Sequence, residues 1–257
     1  MGLESLTRST WADITKSYSP SQIDVVGTLA VQLIFFWALS GIYILLDILF
    51  PHYSHPHKLQ PRLKQPTLPE LRECFWMVAR NQMLSTLIHV GIYAVLHLFR
   101  LPPSLRFDAA LPSLAECIRE ISLSMLMREV FFYYSHRILH HPSIYPRIHK
   151  THHRFTAPVA LAAQYAHPIE HLVANILPIV LPSLILRSHI VTFWIFLAIE
   201  LAETTTVHSG YDFLHGAAKM HDLHHEKFVV NYGTLGLLDW VHGTGGKSAR
   251  KHMAESR

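Results

Sequence analysis

The chain has 257 residues, half of them hydrophobic and only 16% charged, with a formal net charge of +4. Soluble domains carry about 25% charged residues, so the deficit points to a membrane. The modest, scattered positive charge fits lipid headgroups and argues against nucleic acid as a partner. Cys74 and Cys117 form no CxxC pair, which excludes a disulfide framework and a thiolate metal site.

The first twenty residues are polar and lack the apolar core and small-residue cleavage site of a secretory signal. Val25 to Leu46 is uncharged and long enough to span a bilayer, with Asp24 and Asp47 at its borders. Residues 51–81 are polar, broken by five prolines and rich in Lys and Arg, and predict a loop with a short surface helix around Pro69–Val78. Gln82 to Phe99 predicts a second span. Its His89 and His97 read as residues for packing or a local hydrogen bond. A third apolar segment, Leu114 to Ser135, carries Arg128 and Glu129 near its end. Glu129 lies two helical turns before His136, where a carboxylate can support a ligand ring from behind. An Arg128–Glu129 pair is the other reading.

The stretch His136–His153, HRILHHPSIYPRIHKTHH, holds six histidines in eighteen residues. On a helix His136 and His140 share a face, as do His149, His152 and His153. HDLHH repeats the second spacing with His221, His224 and His225. Neighbouring histidines diverge by about 100° on a helix, so His152/His153 and His224/His225 can each serve two metals. His141 reads as a supporting residue. His167 and His171 form an i,i+4 pair from which at least one ligand is expected, and His208 borders the boxes.

Two apolar pieces follow, 155–186 and 190–212, the first broken by Pro178 and Pro182. Each is short for a full crossing, which predicts a helical hairpin returning to the side it left, with Glu200 and Glu203 near the returning end. From Gly210 onward the chain is soluble-like and predicts a lid, braced by Asn231 and Asp239, that brings the last histidine box onto the others. By the positive-inside rule the basic loop 51–81 lies in the cytosol, and the boxes emerge on that face. The whole reads as an all-α integral membrane bundle: about three full spans plus a hairpin, and a cytosolic helical cap over a dimetal site. Its parts are a membrane anchor region 1–113, a catalytic region 114–245 and a basic tail 246–257.

Imidazole binds iron, zinc, copper and nickel, and eight histidines in three boxes exceed the needs of one ion. HExxH, GxSxG and phosphate-binding glycine loops are absent. A membrane-embedded zinc hydrolase of a lipid amide or ester is the alternative to an oxidase.

The series HRILHH, IHKTHH, YAHPIEH, ETTTVHSGYD and HDLHHEKFVVNYGTLGLLDWVHGT over residues 115–245 resembles the fatty acid hydroxylase superfamily, and within it the C-4 methylsterol oxidases. The resemblance implies metal ligation by His136, His140, His149, His152, His153, His167, His208, His221, His224 and His225. Glu129, Glu170 and Glu203 are candidates for holding those ligands. It also implies an endoplasmic reticulum enzyme with two non-haem irons that inserts oxygen into a C–H bond of a sterol-like or other lipid. Dioxygen and electrons from NAD(P)H, delivered through a cytochrome b-type donor and its reductase, complete the expectation. Thr206 departs from the resemblance, standing where an acidic residue is expected.

Overall fold

The computed structural model describes residues 3–214 and 216–246; the tail from Lys247 lies outside them. It is all-helical, with no strand among the described residues and only two isolated bridges. The helices are α1 Leu3–Ser17, α2 Pro20–Leu49, α3 Leu68–Leu98, α4 Leu114–Leu139, α5 Pro168–Ile185, α6 Ile190–Val207, α7 Ala217–Lys227 and α8 Leu237–His242.

Local chemistry sets the starts. Ser19 and Gln22 exchange capping bonds ahead of α2, and Pro20 stands where a missing N–H costs nothing. Glu70 accepts from the Thr67 N–H at the head of α3, and the Ser113 hydroxyl accepts from Glu116 N–H at the head of α4. Histidines do the same work twice: His167 Nδ1 accepts from Ile169 N–H before α5, and His189 Nδ1 from Val191 N–H before α6.

Among the described residues three helices are long and apolar enough to cross a membrane: α2, α5 and α6. Only 11% of the most apolar window of α2 is buried, and an apolar helix left so bare suits lipid rather than water. The three are not the three the sequence predicts. The first span is there. The Leu114–Ser135 segment is helical as α4, but Glu116, Arg119, Glu120, Arg128 and Glu129 make it too polar to qualify. Gln82–Phe99 is the second half of α3, continuous with the predicted surface helix, and likewise does not qualify. Both arms of the expected hairpin do, at 18 residues each, or about 27 Å of helix. The first runs through Pro178 and Pro182 because a wider turn at His171–Ile176 precedes them.

α4 packs along α5 and α6, while α2 crosses α6 and α3. α2 and α6 approach closely at Gly27, where a Cβ would fall 1.9 Å from the Trp194 ring. α7 rests on the end of α6 and α8 on α4, so the last segment closes over the ends of α4 and α6, where the histidines emerge.

Candidate metal centre

His136 occupies the last turn of α4 and His140 caps it. His149, His152 and His153 follow on a 3-10 turn, His149–Arg154, tighter than the α-helix the spacing predicts. His208 caps α6, and α7 carries His221, His224 and His225.

Nine of these rings converge in two sets. One is His136, His140, His149, His153 and His224; the other is His152, His208, His221 and His225. Within each set the candidate ligand atoms lie within 4.8 Å of one another, close to the ~4.2 Å span of two ligands at 2.0–2.1 Å from one ion. The neighbouring histidines divide as expected: His153 and His224 go to the first set, His152 and His225 to the second. The sets abut, with the His153 and His225 ring centroids 4.6 Å apart.

The outer nitrogens determine what the inner ones can do. His136 Nδ1–H donates to the Tyr232 carbonyl at 2.8 Å, and His224 Nδ1–H to the Val230 carbonyl at 2.7 Å. His152 Nδ1–H donates to the Tyr165 carbonyl at 3.2 Å and His208 Nδ1–H to the Thr204 carbonyl at 2.8 Å. A carbonyl only accepts, so each of these four neutral rings is left with a bare lone pair on Nε2. His149 Nδ1–H donates to Glu170 at 2.7 Å, with the same consequence.

Those lone pairs point at one another. His149 Nε2 is 3.1 Å from His136 Nε2, 2.8 Å from His140 Nε2 and 3.1 Å from His153 Nε2. His208 Nε2 is 2.8 Å from His221 Nε2. His225 is buried with neither ring nitrogen hydrogen-bonded. Neutral tautomers can satisfy only part of such a set, as where a His221 Nε2–H donates to His208, whereas a cation at each focus would satisfy the whole of it. Burial, with the neighbouring rings, disfavours protonation throughout: His140 is lowered to about 2, His208 and His224 to about 3, and His152 to about 4. The other five are also lowered, burial first among the causes. Neutral imidazole is the form that ligates a metal, so the donor set fits two transition-metal ions.

Other predicted site residues lie elsewhere. His167 belongs to neither set: it is half-buried and its Nδ1 caps α5. His171 is fully buried but bonds Ser85 through Nε2 at 2.9 Å, so neither member of that i,i+4 pair joins the rings. His141 is exposed and its Nδ1 accepts from Ser143 N–H. Of the three carboxylates only Glu170 touches a ring of either set. Glu203 pairs with Arg128 at 2.7 Å, and Glu200 meets the same guanidinium at 2.6 Å. Glu129 contacts no ring and does not pair with Arg128. It accepts from the N–H groups of Thr234, Leu235 and Leu238 and from the Thr234 hydroxyl. Its effect on His136 passes through the loop it pins, whose Tyr232 carbonyl holds that ring. Asp239 braces the same loop, accepting from Tyr232 and Gly233 N–H and the Thr244 hydroxyl.

One supporting group escapes sequence reasoning. Lys58 Nζ donates to Asp47 and to the Ser209 carbonyl and lies over the Tyr211 ring, while the Tyr211 hydroxyl reaches Asp47 and Ser54. Leu59 N–H donates to the Gly210 carbonyl. This clamp fixes the segment just after His208 to the end of α2. Asp47 at the border of an uncharged span was the only sign of it in the sequence.

Paired histidine sets at the ends of helices define the class: a helical protein with two abutting clusters of imidazoles, each of which could hold a metal ion. The chain belongs to the fatty acid hydroxylase family, whose family model matches residues 121–244. It is 38% identical over 224 residues to human fatty acid hydroxylase domain-containing protein 2, covering 85% of this chain and 66% of that protein. It is 32% identical to methylsterol monooxygenase 1 of Danio rerio, over 87% of this chain and 78% of the relative. Against methylsterol monooxygenase 2-2 of Arabidopsis thaliana the identity is 28%, over 94% and 93%. No solved structure matches the chain.

Proposed function

We propose that the protein is a membrane-embedded lipid oxygenase with two iron ions, one in each histidine set. It inserts oxygen from O2 into an unactivated C–H bond of a sterol-like or other lipid, drawing electrons from NAD(P)H through a cytochrome b-type donor and its reductase. The observation that carries this reading is the convergence of buried imidazole nitrogens in two abutting sets, within a family whose members include methylsterol monooxygenases.

His136, His140, His149, His153 and His224 would hold one ion, and His152, His208, His221 and His225 the other. When bound, the two ions supply the redox chemistry that activates dioxygen, which no side chain of this chain provides. The protein's part is to keep nine rings neutral, orient five of them through four carbonyl acceptors and Glu170, and exclude water by burial. The lipid reaches the centre from the bilayer side, past α2, α3, α5 and α6. Residues 1–113 act as membrane anchor, 114–245 as the catalytic unit and 246–257 as a basic tail near headgroups. The basic loop 51–81 supports a cytosolic position for the centre, in the endoplasmic reticulum membrane.

The test is product analysis by mass spectrometry after expression in a host that supplies its own reductase chain. The wild type forms an oxygenated lipid; His152→Ala inserts in the membrane and forms none. Equal products from both would overturn the assignment.

A further inference from the structure

A cavity of about 210 Å³ lies between α2, α3, α5 and α6, with a mostly apolar lining. One stripe of α3 that faces it is polar: Gln82, Ser85, Thr86, His89 and Tyr93, spaced to share a helix face. Of the two readings its surroundings in the sequence allow, packing or a local hydrogen bond, His89 makes a hydrogen bond, to Asp24 on the neighbouring helix.

The stripe has two ends. Near Gln82 the cavity touches the scaffold of the histidine sets. Ser85 bonds His171, the neighbour of Glu170, and the lining residue Gln164 precedes Tyr165, whose carbonyl holds His152. At the other end lies Asp24, 4% exposed. Its carboxyl accepts from the Tyr93 hydroxyl at 2.7 Å, the His89 Nε2–H at 3.2 Å and the Thr28 hydroxyl at 2.9 Å. Along α3, His89 is seven residues and Tyr93 eleven residues from Gln82, or about 10 and 16 Å. An acid so buried within the protein is costly and needs a reason. Asp24 has one acceptor site beyond the three its neighbours use, and it lines the cavity.

We propose that Asp24, with His89 and Tyr93, anchors the hydroxyl of a lipid alcohol whose apolar body fills the cavity toward Gln82 and Gln164. This rests on the oxygenase reading and deepens it. The carbon presented to the histidine centre then lies about 10 Å or more from the hydroxyl. In a C-4 methylsterol the oxidised methyl stands beside the 3-hydroxyl, so that substrate does not suit this anchor. Asp24 is a specificity-determining residue, not a catalytic one.

The experiment is photo-crosslinking of the full chain in lipid nanodiscs, using 1-hexadecanol with a diazirine either beside the carbinol or at the far end of the tail. Peptide mapping should place the tail-end adducts on the 82–86 and 164 segments, and the carbinol-end adducts on 24–29 and 92–96. Excess unlabelled hexadecanol or excess cholesterol should suppress them, and which competes better tells a chain alcohol from a sterol. Asp24→Leu should weaken hexadecanol binding about tenfold, the scale of one lost bond to a charged group, without weakening that of hexadecane. The opposite placement of the two labels, or no suppression by either competitor, overturns the anchor whether or not Asp24→Leu folds. Crosslinking needs no turnover. The predicted map in a chain that oxidises nothing would keep the anchor and sink the oxygenase reading, and oxidation with a reversed map would do the opposite.

Discussion

Five of the nine converging rings are positioned by what their outer nitrogen meets, and Glu170, behind His149, is the most direct case. Glu170→Gln replaces the carboxyl behind His149 with an amide, and such supporting partners are typically worth 10–100-fold in metal affinity. Competitive chelation should show a drop of that size. His167→Ala should leave metal content unchanged, because His167 only caps α5; thermal unfolding should register the lost cap at about 1 kcal/mol. Acid acts on all nine rings in one direction. Their folded-state affinities for protons lie below the unfolded value near 6.5, with His152 at about 4 and His208 at about 3. The unfolded chain therefore binds more protons, and stability falls as pH drops below about 6.5 through 4. Unfolding midpoints of the metal-free protein across that range would check the sign; a gain in stability on acidification would contradict it. The ligand spacing was legible because imidazoles three and four residues apart share a helix face. His167 has the same sequence signature as a ligand, and only the direction of its Nδ1 toward Ile169 N–H separates the two roles.

At the scale of elements, the loop from Val230 to Leu238 couples α4 to the lid. Glu129 and Asp239 together occupy most of its backbone donors, and the loop returns two carbonyls to His136 and His224. Glu129→Ala would leave three backbone N–H groups without their acceptor. At about 1–3 kcal/mol for each group left unsatisfied, the loop should open and hydrogen exchange at 232–238 should accelerate. Gly233→Ala attacks the same joint, since its Cβ would stand 2.6 Å from Glu129 Oε1 and 3.0 Å from Asp239 Oδ2, both held in place by other bonds. A Gly233→Ala protein with unchanged exchange and metal content would contradict this role for the loop. Such a joint is hard to foresee in a sequence, because Glu129 meets backbone groups more than a hundred residues away. Seven-residue spacing pointed instead to His136, two turns along the same helix.

For the whole molecule, all-helical architecture and the convergence of the histidine boxes were legible from hydropathy and repeated spacing. The sorting of apolar segments was less so. Charge along α4 and polar residues along α3 remove them from the helices apolar enough to cross a membrane, while the two shorter apolar pieces, one of them interrupted by prolines, form continuous helices instead. Hydropathy by segment cannot see that the polar stripe of α3 faces a cavity or that Asp24 has three donors from two helices. The parts meet at the double centre: α2 clamps the segment after His208 through Lys58, α4 delivers the first box, and α7 closes with the last. Metal analysis of the purified full-length protein tests that arrangement most directly. The account predicts about two irons per chain, with His152→Ala and His153→Ala each depleting a different ion. One ion per chain, or zinc alone with no consumption of oxygen, would contradict it.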